Sequence, residues 1–132
     1  MADLIDLLDE HKNHKDRKKV WGLVLQGGGM RGSYSSGALA TFIEYDLQDT
    51  FDHVVGSSAG ALNGSYFLSA QADALESYTK DLTNKRFVNL ARKDKKVDID
   101  YVVDIVLRHR RPLNLKKLLH TPTKLHIIVT DA

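Results

Sequence analysis

Cysteine is missing from all 132 residues, so neither disulfides nor thiolate metal sites are available and nothing calls for an oxidising compartment. Proline occurs only twice, and the chain has no low-complexity segment. No run approaches the roughly 18 uninterrupted apolar residues that a membrane span requires. The first ten residues hold Asp3, Asp6, Asp9 and Glu10 without a basic leader before an apolar core, which argues against a secretory signal. These absences leave a soluble or peripheral protein, with the cytoplasm as its expected location. Its 42% hydrophobic and 27% charged residues are ordinary for one compact domain.

Net charge is small, +2, but unevenly spread. Residues 1–19 balance five acids against five bases, whereas residues 20–84 set seven acids against only Arg31 and Lys80. Residues 85–132 carry twelve bases against five acids, a net of +7. That half reads either as a surface attracted to anionic lipid headgroups or phosphates, or as a set of solvated helix faces. Nucleic acid is not an expected partner, because the bases are not interleaved with aromatic platforms and no zinc-finger or RNA-binding signature is present.

Along the chain, Leu4, Ile5, Leu7 and Leu8 lie on one side of a short amphipathic helix, and residues 11–19 read as a polar, mostly basic linker. Two similar units follow. Residues 20–25 predict a short buried strand, then Gly27-Gly28-Gly29-Met30-Arg31-Gly32, then a helix over residues 33–45. Residues 51–55 predict a second strand, then Gly56-Ser57-Ser58-Ala59-Gly60, then a helix over residues 59–68. Two strand–turn–helix units in succession imply a parallel sheet with helical crossovers, and both glycine motifs fall at the carboxyl ends of its strands, where such sheets bind ligands. Further helices are expected over residues 70–79 and 113–119. Residues 98–107 place Ile99, Val102, Val103, Ile105 and Val106 at spacings suited to a buried helix face, with a strand as the alternative. Residues 124–130 predict a third strand.

A serine hydroxyl becomes a useful nucleophile only when a base takes its proton and donors stabilise the oxyanion that forms. Gly56 and Gly60 permit a strained strand-to-helix elbow that projects Ser58 at a helix N-terminus, where the dipole favours negative charge. Ser57 occupies the wrong place in that pentapeptide. The competing reading of Ser58 is a simple helix cap. The N–H groups of Gly27, Gly28, Gly29 and Met30 suit an oxyanion, each such donor being worth roughly 3 to 4 kcal/mol of barrier in other enzymes. Arg31 either steadies the loop through a salt bridge or attracts a phosphate-bearing substrate. Gly27-x-Gly29-x-x-Gly32 also fits a dinucleotide-binding fingerprint, with Asp49 or Asp52 as the ribose acid, but that leaves the serine elbow unexplained.

The motif pair resembles the patatin-like phospholipase family over residues 20–70, with weaker similarity onward to Asp131. The resemblance implies that Gly27 to Gly32, as G-G-G-x-R-G, form the oxyanion hole and that Ser58, flanked by Gly56 and Gly60, is the nucleophile. It further implies a three-layer α/β/α sandwich with a mainly parallel sheet, lipid acyl hydrolysis by a Ser-Asp dyad, and neither metal nor cofactor. No histidine takes a triad role, which suits His11, His14, His53, His109, His120 and His126, as they form no evident catalytic set. The family's aspartate sits in an Asp-Gly-Gly or Asp-Gly-Ala motif, and this chain has no Asp-Gly. Asp131-Ala132 resembles an earlier, noncatalytic segment after the third strand. The expected organisation is therefore a helix and linker over residues 1–19 and the N-terminal part of a hydrolase domain over residues 20–132, truncated after the third strand. Such a chain is expected to be nearly inactive alone and prone to self-association along its open sheet edge. The alternative function is a noncatalytic module that binds anionic lipid.

Overall fold

The computed structural model describes residues 3–14 and 19–131. Its centre is a three-stranded sheet formed by β1 (Gly22–Leu25), β2 (His53–Ser57) and β3 (Lys124–Ile128), in that order and parallel throughout. Leu25 pairs with Gly56 and Gly56 with Ile127, so the ends of all three strands share one edge. Parallel strands need a long crossover. The first is α2 (Gly32–Glu44); the second begins with α3 (Ala59–Leu68) and continues through α4 (Ala72–Leu75), α5 (Ser77–Lys80), a π-helix (Tyr101–Arg110) and α6 (Leu115–His120). This is the α/β fold with a parallel sheet that the sequence implied, and it is consistent with the patatin-like sandwich.

Alternation decides which face of the sheet is buried. Leu25, Val54 and Gly56 turn inward, where α3 lies across all three strands, while Val24 on the opposite face is 76% exposed. Gly64 lets α3 approach closely, because a Cβ there would sit 3.0 Å from Val54 Cγ1 and 3.2 Å from Leu25 Cδ1. Behind it, Phe42, Phe51 and Phe67 form an aromatic cluster with ring centroids 6.3–6.4 Å apart. Burying a side chain such as Phe67 contributes about 1.5–3 kcal/mol, so this cluster anchors the elements that present the sheet edge.

The N-terminal helix α1 (Leu4–Asn13) packs Leu8 and Ile5 against the main core. His11 stacks on Trp21 at 3.8 Å, so the helix runs through residues expected in the linker, whose positions 15–18 lie outside the described residues. The helix expected over 70–79 is two short ones, interrupted at Glu76.

The largest departure concerns residues 98–107. They do not form an α-helical buried face, since Ile99, Val103 and Ile105 are exposed. From Tyr101 the chain winds as a π-helix, closed at its end by Arg111 N–H donating to Val106 C=O at 2.7 Å. A register of i to i+5 puts Tyr101 with Val106, and Val102 with Leu107, on the inward side. The basic cluster beside it is also less free than its sequence suggests. Arg110 and Arg111 converge on the buried Asp81 carboxylate at 3.1 and 3.0 Å, and Tyr66 donates its hydroxyl to Arg111 C=O at 2.7 Å. A buried carboxylate needs such partners, which makes these two arginines part of the structure rather than of a solvated patch.

Candidate active site

The end of β2 runs into a turn of one residue. Ser58 has φ 49° and ψ −123°, a combination that a residue with a Cβ seldom adopts and that costs about 1–3 kcal/mol to hold. Close packing on both sides enforces it. A Cβ on Gly56 would lie 2.7 Å from backbone atoms of Gly60 and Ala61, and one on Gly60 would run into the Leu25 carbonyl oxygen, with Gln26 O at 3.0 Å. The elbow is thus wedged between the first turn of α3 and the end of β1, with no room for side chains at either flanking position.

Ser58 precedes the first turn of α3 but does not cap it, because its side chain makes no capping hydrogen bond. The hydroxyl is exposed and takes no hydrogen-bond partner among the described residues. With Gly29 it lines an open cleft of about 260 Å³ whose other walls include Leu62, Leu82, Phe87 and Val102. Leu62 stands one helical turn beyond Ser58 on the same side of α3. Apart from the serine and Gly29 the lining is hydrocarbon or aromatic, the Tyr78 ring included.

The glycine-rich segment lies against this elbow. A Cβ on Gly27 would fall 2.9 Å from both Ser57 O and Ser57 Oγ and 3.2 Å from Ser58 Cβ, so the two motifs touch through a residue without a side chain. Gly28 and Gly29 have φ of 152° and 57°, and Gly29, Met30 and Arg31 form a single 3-10 turn leading into α2. That turn is closed by Arg31 N–H donating to Gly28 C=O at 3.2 Å. No hydrogen bond among the described residues uses the Gly28 N–H. Met30 is exposed on the turn. Arg31 folds over Gly28, where its Nε would be 3.0 Å from an added Cβ, and it forms no ion pair among the described residues.

Sequence inspection missed what lies under the loop. Asn63 is only 1% exposed and donates from Nδ2 to Gly32 C=O and to Ser35 Oγ, both at 2.9 Å. Its Oδ1 accepts the Tyr78 hydroxyl at 3.1 Å, and burial raises the Tyr78 pKa above its ordinary value. Gly32 closes the glycine motif against that tyrosine ring, with 2.8 Å between an added Cβ and Cζ. One amide thereby joins the serine's helix, the start of α2 and α5. A lone asparagine within the otherwise apolar or small-residue α3 was the available signal.

Other candidate groups lie elsewhere. Asp52 accepts the Trp21 N–H at 2.8 Å just before β2, and Asp49 lies in the turn that precedes it. Both belong to the opposite end of the sheet from the glycines, which removes the ribose-binding geometry. His53 Nδ1 and His126 Nε2 face each other at 2.9 Å on the open face, also away from Ser58. Asp131 follows β3 beyond Ile128, the register partner of Ser57, and is exposed. Its companion Ala132 lies outside the described residues.

A parallel sheet whose central strand ends in a strained serine elbow, flanked by a glycine-rich turn, defines the class as α/β proteins with a site at the strand ends. Within that class the chain belongs to the patatin-like phospholipase family, whose model matches residues 23–129. It is also similar to an Escherichia coli (strain K12) protein described as "Uncharacterized protein YjjU", with 33% identity over 86 residues. That match covers 62% of this chain and 24% of the relative, so the chain spans about a quarter of the length of the curated relative it matches. No solved structure matches it.

Proposed function

We propose that Ser58 is the nucleophile of a lipid acyl hydrolase. The carrying observation is that its strained, uncapped hydroxyl belongs to the lining of an apolar cleft that Gly29 shares. An acyl chain lying along Leu62, Leu82, Phe87 and Val102 brings its ester carbonyl to Ser58. Oγ attacks the carbonyl carbon while a carboxylate takes the hydroxyl proton, and N–H groups of the segment Gly27 to Met30 hold the oxyanion. The departing alcohol oxygen receives that proton, leaving an acyl-Ser58 ester. Water then attacks this ester and gives its proton to the same carboxylate; the acyl–Oγ bond breaks, the carboxylate passes that proton to Oγ, and the fatty acid leaves. Gly56 and Gly60 shape the elbow, Gly32 seats the loop on Tyr78, and Arg31 covers Gly28 and favours anionic substrates.

The carboxylate is assigned to an aspartate outside these 132 residues, in a Ser-Asp dyad. Turnover of a nitrophenyl ester by a longer polypeptide that contains this aspartate, compared with its Ser58→Ala variant, tests the assignment; equal rates reject it. A noncatalytic lipid-binding module is the second reading, favoured by one observation: no base contacts Ser58 among the described residues. The cytoplasm is the proposed compartment, where anionic lipid faces the protein. The β3 edge, with Ile127, Ile128 and Val129 exposed, supports self-association of the isolated chain.

A further inference from the structure

The apolar cleft opens beside a hairpin-like excursion over residues 88–97 that neither the fold nor the proposed chemistry uses. Its base is a bridge between Val88 and Val97, reinforced by Asn89 N–H donating to Lys96 C=O at 2.9 Å and Asp98 N–H to Phe87 C=O at 2.8 Å. Arg92 clasps it from inside. Its guanidinium donates to the carbonyls of Lys85 and Arg86, each at 3.1 Å, and pairs with Asp98 at 3.4 Å. Phe87 is buried as a cleft wall, so the excursion is fixed to the rim of the cleft.

What this braced segment presents outward is apolar and positive together. Leu90 near its tip is 78% exposed. Residues 85–97 contain six bases and one acid, and Lys85, Arg86, Lys93 and Lys96 have no carboxylate partner among the described residues. Beside them Ile99 and Val103, 60% and 41% exposed, are at once surface residues and lining of the cleft that reaches Ser58. Water penalises such apolar exposure, and a solvated charged face gives no reason for it. A bilayer interface rewards both features, since apolar side chains enter the headgroup region while cations meet anionic lipid.

We infer that the segment from Lys85 to Val103 is a docking surface for an anionic lipid bilayer, with Leu90 inserted and the cleft mouth held against the membrane. The inference builds on the acyl-hydrolase reading by stating where the acyl chain comes from: it passes from the bilayer over Ile99 and Val103 to Ser58 without crossing water.

Cosedimentation of the Ser58→Ala chain with vesicles of phosphatidylcholine alone, or of phosphatidylcholine with phosphatidylserine, tests it by binding rather than turnover. Binding is expected only with phosphatidylserine, and it weakens as salt rises. Each basic residue at such a surface is worth roughly a fivefold gain in partitioning, so Lys93→Glu with Lys96→Glu should lower binding by about 25-fold or more. Leu90→Ser should lower it at unchanged charge. Lys116→Glu with Lys117→Glu, an equal charge change on α6, should leave binding within about twofold. Binding indifferent to phosphatidylserine, or equally sensitive to both lysine pairs, overturns the docking surface. Vesicle binding by a longer polypeptide that fails to cleave esters would instead defeat the hydrolase reading alone.

Discussion

Replacing Ser58 by glycine should make the protein more stable, and the size of the effect follows from the backbone. At φ 49° and ψ −123° the Cβ is the source of strain, worth about 1–3 kcal/mol. Glycine removes it but enlarges the unfolded ensemble, at a cost of about 0.5–1 kcal/mol. The net gain expected for Ser58→Gly is therefore about 0–2.5 kcal/mol, centred near 1 kcal/mol. Ser58→Ala is the control. It keeps the Cβ, and the hydroxyl it removes has no hydrogen-bond partner among the described residues, so its stability should stay within about 0.5 kcal/mol of the parent. Urea unfolding followed by fluorescence of Trp21, the sole tryptophan, measures both. A glycine variant no more stable than the alanine variant would refute the claim that the elbow stores strain at this residue.

Four further outcomes are expected. Asn63→Ala removes three hydrogen bonds, two of them buried, and should cost about 3 kcal/mol, whereas Tyr78→Phe, which leaves only Asn63 Oδ1 unpaired, should cost about 1–2 kcal/mol; thermal melts of both and of the double variant would show less than additive loss. Gly60→Ala drives a Cβ into the Leu25 backbone and should prevent accumulation of folded protein, while Gly37→Ala, inside α2 with open space around it, should stabilise by about 0.5–1 kcal/mol in the same assay. Burial pushes the Tyr66 phenol up to about 12, so its neutral form is the one the fold favours. That contribution is fully present below pH 10 and is lost as pH rises toward 12; ultraviolet absorbance should show ionisation of Tyr66 coinciding with alkaline unfolding, and Tyr66→Phe should lack this loss.

How much of this was legible in sequence depended on the range of the interactions. Residues 59–68 were expected as a helix and α3 spans Ala59–Leu68, because a glycine-bounded turn and an apolar run are local signals. Strand β2 was displaced, ending at Ser57 rather than Val55, since pairing with β3 extends it and sheet partners are invisible locally. The π-helix escaped for a different reason: apolar spacing that suits a 3.6-residue turn also fits other windings, and only contacts with Tyr78 and Phe87 select the observed one. Distance along the chain likewise hid the pairing of Asp81 with Arg110 and Arg111. Within the site, the glycines were readable as a motif, but the contact of Gly27 with Ser57 and Ser58 needed the register of β1 against β2.

Ser58, lining an apolar cleft, is the group that attacks the acyl carbonyl in the proposed reaction. Its most direct test is covalent labelling of a longer polypeptide that contains the assigned aspartate by a fluorophosphonate bearing a long alkyl chain, followed by mass mapping of the modified peptide. One modified site is expected, at Ser58, with labelling abolished in Ser58→Ala and slowed when a polar residue replaces Val102 in the cleft. Modification of another residue, or equal labelling of Ser58→Ala, would contradict it.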